Sequence, residues 1–156
     1  MPLIRRATSA DIEILTALRL ALLRETGKVI NDQGEQQLRA LTYSYFRRAV
    51  PRGEFLAWVA EVDEHGTIAA TGGLVFLTRP PSPDNEAGLE GYVLNMYTLP
   101  AWRGQGLARA ILRHIIAYAR QQTPARRLWL RATDAGRPLY ASEGFRPATR
   151  EMELLW

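Results

Sequence analysis

Residues 92–118 read YVLNMYTLPAWRGQGLARAILRHIIAY, and the fold turns on how this stretch is read. An apolar strand through Val93, Leu94 and Met96 runs into a short turn. The turn opens a helix whose apolar residues, Leu107, Ile111, Leu112, Ile115 and Ile116, recur at helical spacing. Gly104 and Gly106 leave backbone N–H groups uncovered where that helix begins. A helix start has unpaired donors and a partial positive charge, so this turn suits a phosphate. Arg103 and Arg109 sharpen the reading, because a cation in a first turn is unfavourable unless an anion is held there.

The charge pattern points to the same place. Residues 91–133 contain no Asp or Glu but seven arginines. The whole chain has 20 basic and 16 acidic residues; outside this segment the balance is 13 to 16. The excess positive charge is local in sequence and surrounds the glycine turn, as a polyanionic ligand requires. A length of 156 residues and a hydrophobic fraction of 47% suit one domain with a full core. Cysteine is absent, which excludes a disulfide framework, a thiolate metal site and a catalytic cysteine. No apolar run reaches the roughly 20 residues that span a bilayer, and residues 1–6 do not read as a signal peptide. A cytoplasmic protein without membrane attachment is expected.

Periodicity and punctuation place the other elements. Residues 3–6 read as a strand. Thr8, Ser9 and Asp11 offer caps to a helix with apolar Ile12, Leu15, Leu18 and Leu22, ending near Gly27. A second helix is expected over 34–50, stopped by Pro51 and Gly53. Residues 55–62 and 67–77 read as a hairpin turning at His65-Gly66, with Gly72 and Gly73 marking a bulge. Proline makes 78–88 a loop. The strand over 90–98 is apolar enough for burial on both faces. The helix over 104–122 is followed by a strand over 127–132, a short helix over 136–142 and a last strand over 150–155.

Two motifs carry a family resemblance. Arg103-Gly104-Gln105-Gly106-Leu107-Ala108 matches the R/Q-x-x-G-x-G/A signature of the GCN5-related N-acetyltransferases. Leu139-Tyr140-Ala141-Ser142-Glu143-Gly144-Phe145 matches that family's L-Y-x-x-x-G-F segment. The chain resembles this family over essentially its whole length. The resemblance implies an α/β (α+β) fold, a mixed and mostly antiparallel central sheet flanked by helices, in the order β-α-α-β-β-β-α-β-α-β-β. It implies one N-acetyltransferase domain over 1–156, with acetyl-CoA as co-substrate and no metal.

The same resemblance assigns a site. The pyrophosphate would sit on the backbone amides of Arg103, Gly104, Gln105, Gly106, Leu107, Ala108 and Arg109. The pantetheine arm would pair with the strand edge at Met96, Tyr97 and Thr98, since an amide-bearing arm adds to a free edge as a strand does. Thr133 stands where many members have an asparagine that bonds this arm, and it can replace only one of the two bonds. Tyr140 matches the tyrosine that protonates the leaving thiolate. Glu90 matches a glutamate used as general base by some members, and a solvated strand-end charge is the equal alternative. Asn95, polar within an apolar strand, would orient the acceptor or a water, or brace the strand. Tyr97 would face either the acceptor or the core. His114 and His65 read as structural or solvated.

The implied activity is acetyl transfer from acetyl-CoA to an amine. A non-catalytic CoA-binding module of the same fold is the alternative. A dinucleotide enzyme is disfavoured, because G-x-G-x-x-G needs glycine where Arg109 stands and the expected acid about 20 residues on is missing. No nucleic-acid motif accompanies the basic segment. The acceptor, a small molecule or a peptide amine, would meet residues 27–36, where Asp32 and Glu35 favour a cationic amine. The apolar end Leu154-Leu155-Trp156 and the strand edges leave a homodimer open.

Overall fold

The structure, a computed structural model, describes residues 1–148 and 150–156. Its elements are β1 (Leu3–Arg6), α1 (Ile12–Glu25), α2 (Asp32–Ala49), β2 (Leu56–Glu61), β3 (Ile68–Thr78), β4 (Leu89–Thr98), α3 (Leu107–Gln122), β5 (Arg127–Trp129) and α4 (Arg137–Ser142). The five strands form one sheet in the order β1-β2-β3-β4-β5. The first three pairings are antiparallel and β4–β5 is parallel. A mixed, mostly antiparallel sheet flanked by helices is the architecture expected. The two closing strands are not formed among the described residues. Residues 150–156 are irregular, with Met152, Leu154, Leu155 and Trp156 exposed. Glu151 and Glu153 alternate with those apolar side chains, so the pattern reads as a strand, but no neighbouring strand pairs with it.

Helices cover both faces of the sheet. The α3 stripe, Leu107, Ile111, Leu112 and Ile115, is at most 3% exposed and packs on Trp58, Leu74 and Val93. At about 1.5–3 kcal/mol for each buried side chain, this stripe fixes α3 more firmly than any cap could. The opposite face receives Ile12 and Leu15 of α1 and Phe46 and Ala49 of α2 against Ala57 and Val59. Gly72 allows the close approach of α3: a Cβ there would lie 2.4 Å from Met96 Sδ and 2.6 Å from Ile111 Cγ2.

The bulge expected at Gly72 and Gly73 does occur there, but its extra residue belongs to the partner strand. Gly73 pairs with Leu94 and Thr71 with Tyr97, so three steps of β4 oppose two of β3. Asn95 takes up the excess in the left-handed region, at φ 58°. One added residue reverses the facing of everything after it. Met96 therefore joins Val93 on the α3 face, while Tyr97 turns with Leu94 toward α1.

The capping residues act on a 3-10 turn, Ser9–Asp11, that leads directly into α1, whose own N-cap Asp11 makes no side-chain cap bond. Thr8 accepts from Ala10 N–H and Asp11 bonds back to Thr8 N–H at 2.7 Å, a reciprocal capping box. Asp11 also accepts two bonds from the Arg5 guanidinium, both 2.8 Å, which join β1 to the helix start. These bonds, chiefly from Arg5, hold the Asp11 carboxyl below its ordinary 3.8. A depressed carboxyl contributes stability above its unfolded value and loses it as pH falls through the folded one. Asp11→Ala is expected to cost about 3 kcal/mol at pH 7 in urea unfolding, as for a broken, largely buried charge pair. The gap between variant and parent should narrow below pH 4.

Candidate functional site

The turn before α3 is built around two left-handed glycines, Gly104 at φ 75° and Gly106 at φ 81°. A Cβ at either would meet nothing within 4 Å, so it is the backbone conformation that requires glycine here. The helix itself begins at Leu107, three residues later than expected, because these conformations cannot continue into it. Arg103 N–H is already bonded to Pro100 O at 3.3 Å, and the first bond inside the helix is Ala110 N–H to Gly106 O at 3.0 Å. Gly106 caps the helix without a side-chain acceptor. Among the described residues, the amides of Gly104 through Arg109 thus have no acceptor. Six open donors at a helix start form a seat for an anion.

The arginines around this seat are less free than their sequence suggests. Arg103 pairs with Glu25 at 2.7 Å, donates from Nε to Thr98 O at 2.9 Å and lies over the Tyr97 ring. It straps the turn to the end of α1 and to β4. Arg109 and Arg113 both reach Glu143 of the α4 cap, at 3.3 and 2.9 Å. Arg127 and Arg79 engage Glu90. The acid-free segment is local only along the chain; folding brings carboxylates to it from α1, β4 and the end of α4. The pull on an anion therefore comes mainly from the amides and the helix end.

An open strand edge leads away from the seat. β5 pairs with β4 only at Glu90, Gly91 and Tyr92. Past these the two strands part, and residues 93–98 keep a neighbour, β3, on one side alone. The bulge at Asn95 adds local twist where they separate. Asn95 is 4% exposed, yet among the described residues neither its Oδ1 nor its Nδ2 has a partner, and nor does Thr98 Oγ1. Polar atoms left open inside a protein mark places where something else bonds.

Tyr140, on α4, packs against the core and lies near Tyr92, the last β4 residue paired with β5. Its position follows from the L-Y-x-x-x-G-F spacing. Phe145 N–H bonds to Tyr140 O at 3.0 Å and Gly144 N–H to Ala141 O at 3.1 Å, with Gly144 at φ 94°. This pair of bonds is a Schellman cap, and its usual apolar contact is present as Phe145 edge-on to Tyr140 at 6.0 Å. The cap holds the tyrosine at a set angle. Burial, and next the neighbouring Tyr92, push its phenol above the ordinary 10.0, so it stays a proton donor through the neutral range.

The remaining sequence-predicted residues divide clearly. Thr133 Oγ1 accepts from Gly136 N–H at 3.2 Å, which leaves its hydroxyl proton available to one further partner. Tyr97 turns toward Glu25 and Arg103, and burial together with Glu25 raises its phenol. Glu90 is buried at the start of β4 between two guanidinium groups. Glu35 is taken by Arg24 and Arg39, so it does not stand ready for a cationic amine, and Asp32 lies in the first turn of α2. His114 Nδ1 faces Ala110 O within its own helix, and His65 lies exposed in its turn. Glu25 and Glu143, which brace the seat, were not singled out in the sequence; nothing local ties either to a glycine turn far away in the chain.

Open amides at a helix start, a splayed strand pair and a capped tyrosine on α4 accompany a mixed, mostly antiparallel sheet flanked by helices, the architecture of acetyltransferase structures. Residues 19–145 match the acetyltransferase (GNAT) family, and the chain belongs to it. A predicted acetyltransferase of Clostridium acetobutylicum, solved with acetyl-CoA, is similar at 30% identity and TM-score 0.85, over 99% of this chain and 96% of that one. A GCN5-related N-acetyltransferase of Ralstonia eutropha JMP134 is similar at 26% identity and TM-score 0.84, over 99% of both chains. Glucosamine-6-phosphate N-acetyltransferase of Arabidopsis thaliana, at 16% identity and TM-score 0.74, covering 100% of this chain and 99% of that one, shares the fold alone. Among curated proteins none matches.

The left-handed bulge residue generates a stability test. A β-branched side chain is strained in that conformation and glycine is not. Asn95→Val should be about 2 kcal/mol less stable than Asn95→Gly in urea unfolding, with Asn95→Gly close to the parent.

Proposed function

We propose that this chain transfers the acetyl group of acetyl-CoA to a primary amine, by direct attack on the thioester, with Tyr140 as general acid. The observation that carries the reading is the run of open amides from Gly104 to Arg109 at the start of α3. Their geometry fits a diphosphate, which needs several donors and close backbone approach. The free edge of β4 at Met96, Tyr97 and Thr98 fits an amide-bearing arm, with Thr98 Oγ1 and the Thr133 hydroxyl able to bond it. Acetyl-CoA supplies an activated acyl group, a thioester whose leaving group is a thiolate.

The chain's own residues then have limited tasks. The amides hold and aim the co-substrate, a positional effect. A backbone N–H of β4 near the Asn95 bulge stabilises negative charge on the acyl oxygen. Tyr140 donates its proton to the departing sulfur; its raised pKa keeps it protonated at neutral pH, and because a phenol is a weaker acid than a thiol of pKa about 8.5, proximity in the site has to drive the transfer. Glu90 is a weak candidate base, because Arg79 and Arg127 both occupy its carboxylate. It is better suited to anchoring the only stretch where β4 and β5 pair. Asn95, with both amide atoms open, is the better candidate to hold the acceptor or a water.

Two measurements test this. Tyr140→Phe should lower kcat by about 100-fold or more, the usual size of a lost general acid, with CoA affinity unchanged by calorimetry. Gly106→Ala should weaken CoA binding at least tenfold. Binding of acetyl-CoA without acetylation of any amine would make the chain a CoA-holding module, and absence of binding would remove the reading altogether.

A further inference from the structure

Arg19 lies on α1 one helical turn beyond Leu15, the residue that packs on Phe46 and Val59. Its neighbours Leu18 and Leu20 are 2% and 1% exposed. The side chain is half-buried between α2 and the sheet, within charge range of Tyr45 on α2 and Tyr92 on β4. Tyr92 is also within charge range of Tyr140. The three groups, Arg19, Tyr92 and Tyr140, therefore follow one another toward the place where β4 and β5 part.

What sets Arg19 apart is the absence of a counterion. Arg24 and Arg39 share Glu35, Arg48 pairs with Glu54, and Arg103 takes Glu25. The carboxylate on the same face of β4 as Tyr92 is Glu90, and Arg79 and Arg127 occupy it. Arg6, Arg47, Arg120, Arg126, Arg131, Arg146 and Arg150 form no ion pair among the described residues either, but all seven are exposed. Among the described residues, Arg19 makes no ion pair and no side-chain hydrogen bond while partly withdrawn from water. Burial accordingly lowers its pKa, whereas the ion-paired Arg24 and Arg103 are raised. A guanidinium has five donors in a planar fork that matches carboxylate or phosphate. Leaving it desolvated and unpaired is costly unless an anion completes it.

We propose that Arg19 is the specificity residue of the acceptor cleft, and that the acceptor is a primary amine carrying an anionic group, carboxylate or phosphate, at its other end. The inference rests on the acetyl-transfer reading above. The acceptor's anion pairs with Arg19, and its amine extends past Tyr92 toward Tyr140 and the thioester. It replaces the cationic acceptor that Asp32 and Glu35 suggested in the sequence.

The test compares matched amines with the full chain at saturating acetyl-CoA, following release of CoA thiol. β-Alanine is set against β-alaninamide, and 2-aminoethyl phosphate against ethanolamine. The anionic member of one pair should be used at least tenfold better in kcat/KM, and which pair shows this separates carboxylate from phosphate. Arg19→Gln should reduce that preference at least tenfold, through KM rather than kcat, and Arg19→Lys should restore part of it. Calorimetry with CoA establishes that each variant is folded. Equal use of both members, a fall in Arg19→Gln that is the same for both, or turnover of none of the four by protein that binds acetyl-CoA overturns the inference and leaves the acetyl-CoA reading standing. Failure to bind acetyl-CoA overturns that reading instead.

Discussion

One residue of β4 in a left-handed conformation organises much of what surrounds it. Asn95 inserts an extra step against β3, and the strand beyond it presents the opposite side chains to each face. Met96 is thereby turned under α3, where Gly72 makes room for it, and Tyr97 is turned to α1, where it meets Glu25 and Arg103. The strand leaves its parallel neighbour after Tyr92, and the exposed backbone edge lies between that parting and the glycine turn. A ladder without the bulge would bury Tyr97 beneath α3 and point Met96 at α1, and the turn would lose its strap.

The anion seat and the tyrosine are both products of backbone capping. At the start of α3, glycines hold conformations that leave six amides unbonded. At the end of α4, Gly144 closes a Schellman cap that places Phe145 against Tyr140. The two are joined through Glu143, which accepts both Arg109 and Arg113 of α3. That ion pair is exposed on its arginine side and contributes little stability alone. Its effect is positional: it holds α3, which begins at the glycine turn, against α4, which carries Tyr140.

The chain's basic character takes a different meaning in three dimensions. Seven arginines without an acid look like a positive field in sequence, but several of them are fasteners between elements. Among the described residues several guanidinium groups lack a carboxylate partner, and the one of them withdrawn from water, Arg19, lies outside that segment, on α1. A charge count along the chain registers neighbours in sequence, while desolvation and pairing depend on neighbours in space.

The sequence by itself determined the parts ruled by local physics. Helical periodicity located α1, α2 and α3 to within a few residues, glycine and proline marked the turns, and the two motifs located the left-handed glycine turn before α3 and the capped end of α4. It overstated the end of the chain, since alternation in 150–155 satisfies a strand pattern but a strand forms only where a partner edge is available. Only the tertiary structure decided that the bulge falls on β4, that Glu90 and Glu35 are committed to arginines, and that Arg19 is not. Those outcomes depend on which groups from distant segments meet, and no spacing along a single chain encodes that.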